Sequence, residues 1–294
     1  MSQVDLPLQQ LCNTAIRAAR EAGQFIQSVD RSTLQRRFKD AGSSAASQLV
    51  TEVDVRSEAI ICQCLQATCE QWDIAFVGEE SLHSETDAIA QRLIKPYHWC
   101  VDPLDGTLPF MEGKPGYAVS IALVGQSGVP LIGVVYDPVD AKLIHAIKGQ
   151  GAYRDMALMS AATSGSASLT VFADASFRLD ANYKHMLDTL NCCAKDSGLE
   201  GVEVIYGSGA VKNSCQVLDY GAACYVKMPR TEEGGGSLWD FAATACILPE
   251  AGAWASNIYG QPLALNRPDS TFMNHQGVIY ASTERIARYL INNV

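Results

Sequence analysis

The feature that most constrains this chain is the segment Asp102-Pro103-Leu104-Asp105-Gly106-Thr107, which follows directly on the apolar run Trp99–Val101. A short apolar run bounded by turn residues reads as a buried strand. Two aspartates stand at its end, around a proline turn. Two other segments repeat the arrangement. Gly78-Glu79-Glu80-Ser81 follows the apolar run Ile74–Val77, and Trp239-Asp240 opens a helical pattern. Strand ends and helix starts are where a rigid scaffold presents functional groups.

The rest of the pattern mixes helices and strands. Leu11, Ala15, Ala18, Ala22 and Phe25 fall at steps of four and three, which predicts one buried helix face. Residues 41–48 are small and polar and read as a loop. A second helix is expected from about Asp54, burying Ile60, Ile61, Cys64 and Leu65. Ala118–Val124, Leu131–Tyr136 and Leu143–Ile147 read as strands. Leu169–Ala173, Val202–Ile205, Cys224–Lys227 and Gly277–Ala281 do the same in the second half, with helices near 181–195, from Ala210, near Trp239 and from Thr283. The Ala/Ser/Gly-rich stretch 160–168 is the expected linker between an N-terminal α+β domain, 1–163, and a C-terminal α/β domain, 164–294. The class is α+β or α/β.

Composition excludes several functions. The 294 residues carry a formal net charge of −10. Nucleic acids and anionic membranes require clustered Lys and Arg, so neither is an expected partner. No apolar stretch is long enough for a membrane span, and Met1–Asp5 has no secretory character. Ten cysteines are scattered without CxxC or zinc-finger spacing. Several, including Cys62, Cys64 and Cys246, sit in apolar runs and read as reduced core residues, which suggests the cytoplasm. His83, His98, His145, His185 and His275 form no metal-binding pattern, and Ser81 lacks a nucleophile elbow.

The chemistry concentrates on the first segment. Its turn would aim both carboxylates and the Leu104 carbonyl at one point, the oxygen set that Mg²⁺ prefers. Gly106 would allow close backbone approach, so the Gly106 and Thr107 amides would hold a phosphate. The same residues also make an ordinary Asp-Gly turn. Gly78-Glu79-Glu80-Ser81, upstream and also at a strand end, favours the metal.

Together these segments resemble the inositol monophosphatase superfamily, whose marks are a GEE turn, a DPxDGT turn and a WD helix start with an Ala-Gly end. Gly78-Glu79-Glu80, Asp102–Thr107 and Trp239-Asp240 running to Glu250-Ala251-Gly252 match them. Val50-Thr51-Glu52-Val53-Asp54 and Gly149-Gln150-Gly151-Ala152 match two further segments. The resemblance implies a layered αβαβα sandwich and a phosphomonoesterase using two to three Mg²⁺ ions and in-line attack of a metal-activated water. By resemblance, Glu79, Asp102 and the Leu104 carbonyl would hold one ion. Asp102, Asp105 and Asp240 would hold a second. Thr107, paired with Asp54, and Glu79 would orient and deprotonate the water. Lithium inhibition is also implied, as is a monomer or homodimer. Two metals would also resolve how an acidic protein binds a small phosphorylated metabolite.

Within the superfamily the chain is most similar to the 3′(2′),5′-bisphosphate nucleotidases. Ser208 and Lys212 in Gly207–Lys212, and Arg230 in Pro229-Arg230, match that branch as expected substrate contacts, the two cations meeting a second phosphate. An inositol monophosphatase is the alternative, with Glu232 or Glu233 near a substrate hydroxyl. A metabolite-binding regulator on the same fold is the non-enzymatic one. Leu108-Pro109-Phe110 departs from both enzyme branches.

Overall fold

The computed structural model describes residues 6–34, 37–38, 49–50, 52–81, 86–163 and 165–294. The 41–48 segment, Thr51 and His83 lie outside them. Two sheets organise the described residues. The first has seven strands: β3 (Ile74–Gly78), β4 (Tyr97–Asp105), β5 (Ala118–Gly125), β6 (Pro130–Asp137), β7 (Lys142–Ile147), β8 (Ala152–Arg154) and β9 (Ala157–Met159), side by side in chain order. β3 and β4 are parallel, and every later pair is antiparallel. The second has five strands: β10 (Leu169–Ala173), β11 (Val202–Tyr206), β12 (Ala223–Lys227), β13 (Trp254–Ser256) and β14 (Val278–Ala281). Its order is β11-β10-β12-β14-β13, parallel among the first three. A short antiparallel ribbon joins β1 (Arg37–Phe38) to β2 (Leu49–Val50).

Helices fill three layers around these sheets. α1 (Leu8–Ser28) and α2 (Glu52–Trp72) cover one face of the larger sheet, packing Leu11, Ala15, Ile26, Val53, Ile61 and Leu65 against it. The predicted face of α1 is buried except at Phe25, which is half-buried; Ile26 takes the inward place and Arg56 lies over the Phe25 ring at 4.8 Å. In α2, Ile60 and Cys64 are only partly buried. α3 (Thr86–Ile94) and α4 (Thr107–Met111) flank β4 in the chain. α5 (Tyr183–Asp196) and α8 (Glu284–Asn293) cover the outer face of the smaller sheet with Met186, Leu190, Ile286 and Leu290. α6 (Ala210–Gln216) and α7 (Leu238–Glu250) lie between the two sheets, where Val211, Phe241 and Ile247 join one core. The layers therefore run αβαβα. Among the described residues no helix is long and apolar enough to cross a membrane.

The cysteine expectation needs correction at Cys62 and Cys64. All ten are free thiols, and Cys246 is buried, but Cys62 is exposed and Cys64 half-buried. Cys62 lies on the solvent side of α2, where burying its neighbours Ile61 and Leu65 turns it outward.

Side-chain size decides how closely α7 approaches the larger sheet. On β5, Val119, Ile121 and Leu123 face α1, while Ala118 and Ala122 face α7. Ala122 stands opposite Gly133 of β6. A Cβ at Gly133 would strike the Ala243 carbonyl of α7, so the helix rests on this flat patch. Gly133→Ala is expected to cost about 1–3 kcal/mol through overpacking. Leu123→Ala, on the opposite face, is expected to cost about 2–5 kcal/mol through a cavity. Urea unfolding checks both; an unchanged midpoint for Gly133→Ala would mean that α7 retreats freely.

Candidate metal centre

Asp102 and Asp105 lie within β4, not in a turn after it. The strand runs to Asp105 because a bulge absorbs Pro103: Asp102 pairs with Ser120 and Asp105 with Ala118, with a register shift between them. Residues three apart on a regular strand point to opposite faces. The extra residue reverses that, so both carboxylates reach the same side. Asp102 accepts the Leu104 N–H at 3.0 Å, which fixes its rotamer. The chain then turns at Gly106, whose φ of 85° is left-handed. A Cβ there would lie 2.6 Å from the Gly116 carbonyl, so glycine is required on both counts.

Asp240 comes from the opposite direction. It is the third residue of α7, and its carboxylate accepts the Ser237 N–H at 2.5 Å. A carboxylate in the first turn satisfies an otherwise unpaired amide and meets the positive end of the helix dipole. Trp239 is buried in the core beneath it, and its carbonyl accepts the Ser120 hydroxyl at 3.2 Å. Asp105 is held in a similar way by another helix. Its carboxylate accepts the Ala210 and Val211 N–H groups of α6 at 2.9 and 3.0 Å. Any Cβ on Gly209 would collide with that carboxylate.

Asp102, Asp105 and Asp240 each place an oxygen within 4.8 Å of the others. Asp102 and Asp105 are almost fully buried. Burial, then the charge of Asp240, pushes the Asp105 carboxyl well above its usual range. Burial raises Asp240 to about 6; Lys227 opposes the rise and Glu79 adds to it. Oxygen-only donors, low accessibility and unrelieved like charge are the chemistry of a hard divalent cation site. The residues present therefore fit Mg²⁺.

The other expected residues fall into two groups. Thr107 and Asp54 meet: the Thr107 hydroxyl donates to the buried Asp54 carboxylate at 2.9 Å and lies 3.3 Å from the Leu104 carbonyl. Glu79 follows β3 directly, close enough to Asp240 to raise its pKa. Gly106 and Thr107 form the start of α4 beside the cluster. The side chains expected to contact substrate have partners of their own. The Lys212 ammonium ends on Asp137. Arg230 stands 3.9 Å from Asp180. The Ser208 hydroxyl is 3.5 Å from Gln216.

Sequence reasoning missed three contributors. Lys227 ends β12, pairs with Asp174 at 2.9 Å and lies 5.3 Å above the Phe241 ring. Burial opposes its charge, but Asp174 and Asp240 outweigh that and raise its pKa. Asp174 follows β10 and also accepts from Tyr225 and Asn213, at 2.9 and 3.1 Å. The rule that strand ends carry function, applied to these strands, would have found both. Glu58 lies one turn after Asp54 on α2 and reaches the Gly78–Ser81 segment. Burial raises its pKa, against the hydrogen bonds it accepts. Its spacing from Asp54 was the available signal.

A family model described as the inositol monophosphatase family matches residues 7–294. Inositol monophosphatase 1 of Sus scrofa is 28% identical over 263 residues, covering 88% of this chain and 87% of that protein. Nus factor SuhB of Escherichia coli is 30% identical over 259 residues, covering 85% of this chain and 86% of that protein. The crystal structure of extragenic suppressor protein suhB from Bartonella henselae superposes with a TM-score of 0.71 at 22% identity, covering 97% of this chain and 98% of that one. The carboxylate segments, the layered fold and these matches agree: the chain belongs to the inositol monophosphatase family of phosphatases.

Proposed function

We propose that this phosphatase is Mg²⁺-dependent and hydrolyses a small polyol monophosphate, with inositol 1-phosphate preferred over 3′-phosphoadenosine 5′-phosphate. The observation that carries the catalytic reading is the buried meeting of Asp102, Asp105 and Asp240. These three, with Glu79 and the Leu104 carbonyl, would hold two to three Mg²⁺ ions. When bound, the metal supplies the charge that neutralises the carboxylates, stabilises phosphoryl oxygens and acidifies water.

The chain's own groups do the rest. The Thr107 proton points at Asp54, which leaves the Thr107 oxygen as an acceptor that orients the attacking water. Glu79 takes the proton that this water loses. The Gly106 and Thr107 amides, at the start of α4, hold phosphoryl oxygens as charge grows on them in the transition state. The substrate preference rests on the cations. A second phosphate needs uncommitted positive charge, yet Lys212, Arg230 and Lys227 each face a carboxylate: Asp137, Asp180 and Asp174.

Three results are expected. Asp105→Asn and Asp240→Asn should each lower phosphate release by at least about 10²-fold while leaving circular dichroism unchanged. Turnover near wild type in either would remove the metal reading.

Thermal melting should depend on pH and metal together. In EDTA, the raised pKa of Asp240 means the native state binds more protons than the unfolded one between the ordinary 3.8 and about 6. Stability contributed by this group therefore falls as pH rises through that window. Mg²⁺ binds the ionised carboxylates, so its increase in Tm should be larger at pH 7.5 than at pH 5. An increment independent of pH would contradict the site.

Phosphate release in Mg²⁺ from inositol 1-phosphate should exceed that from 3′-phosphoadenosine 5′-phosphate at matched concentrations. The reverse order would return the protein to the nucleotide reading.

A further inference from the structure

Helix α2 turns two acidic side chains toward the site, one turn apart. Asp54 and Glu58 are 3% and 5% exposed. Residues four apart share one helix face, separated along the axis by about one 5.4 Å pitch. Asp54 grips one metal-bearing segment through the Thr107 hydroxyl. Glu58 grips the other. One of its oxygens accepts the Glu80 N–H at 2.8 Å. The other accepts the Ser81 hydroxyl. Both oxygens are thus committed to the short turn that carries Glu79.

The packing is as specific as the hydrogen bonding. A Cβ on Gly78 would collide with the Glu58 carboxylate. Glycine at the end of β3 therefore opens the space that Glu58 fills. The residues before and after Glu79 are both in contact with Glu58, one by packing and one through its backbone amide. The arrangement buries a carboxylate close to Glu79, which is unfavourable for charge. Ordering the turn that bears a metal ligand accounts for that cost; filling a core position would not, since an apolar side chain does so without it.

We propose that Glu58 is a positioning residue for the metal centre. It fixes the Gly78–Ser81 turn so that Glu79 faces Asp240. Together with Asp54 it makes α2 the common anchor of both metal-bearing segments, with the helical pitch setting their spacing. This inference rests on the metal reading above, and Glu58, with both oxygens taken by the turn, would act through Glu79.

Calorimetric titration of the purified full chain with Mg²⁺ tests it. Glu58→Gln keeps the size but sets an amide N–H against the donors of the turn. Ser81→Ala removes one bond and leaves the backbone grip. Glu58→Gln is expected to weaken Mg²⁺ binding by about 10–100-fold, the range seen when groups supporting metal ligands are removed, and Ser81→Ala by less. At saturating Mg²⁺ the KM for inositol 1-phosphate should stay within about twofold of wild type. A purely structural role would lower Tm in EDTA without moving Mg²⁺ affinity. Wild-type Mg²⁺ affinity in a folded Glu58→Gln variant overturns the inference while leaving the metal reading intact. If Glu58→Gln does not fold, unchanged affinity in Ser81→Ala overturns it. Absence of Mg²⁺ binding by the wild-type chain overturns the metal reading, and this inference with it.

Discussion

The repulsion among Asp102, Asp105 and Asp240 is the constraint around which the structure is arranged. Their oxygens lie within 4.8 Å of one another in a largely buried space. At an effective dielectric constant of 20, two unit charges at such a distance repel by about 3–4 kcal/mol. The fold offsets this by giving each carboxylate a backbone partner. Asp102 takes the Leu104 amide, Asp240 the Ser237 amide, and Asp105 two amides of α6. Amides relieve part of the charge and fix each side chain. A divalent cation bound there, as proposed, would relieve the rest.

Layering brings these groups together. β4 lies inside the larger sheet, and α7 runs between the two sheets. Asp240 reaches the end of β4 because α7 can lie close to the sheet. Ala122 and Gly133 provide that clearance, whereas Val119, Ile121 and Leu123 of β5 face the other way. The bulge in β4 then turns Asp102 and Asp105 to the same side. Close packing of α7 on the sheet thus goes together with the meeting of Asp240 and the β4 aspartates.

Most of this was legible because carboxylates at the ends of apolar runs leave a local signature. Glu79, Asp102, Asp105 and Asp240 were each readable from their immediate neighbours, and so were most strands. The continuation of β4 was not, because Pro103 reads as a break and only the register with β5 reveals the bulge. β13 escaped notice as a three-residue strand, and α3 and α4 as short helices. The partners of the cations were also hidden. Lys212 meets Asp137, 75 residues away, and no local pattern carries such a pairing. Lys227 was seen only as the last residue of a strand, although its charge lies nearer the cluster than its sequence position suggests.

Asp105 serves two partners at once, and this limits how the protein can change over evolution. The same carboxylate that belongs to the metal cluster also holds the first amides of α6, in the half of the chain beyond residue 164. Its space is kept open by Gly209. The two halves are therefore not interchangeable parts. A recombinant joining this N-terminal half to a relative's C-terminal half would keep every acidic residue and still lose the centre, unless it also inherited a side-chain-free position at 209 and two amides aimed at 105. Within such a lineage, drift at the ligands and at these supporting backbone positions has to occur together.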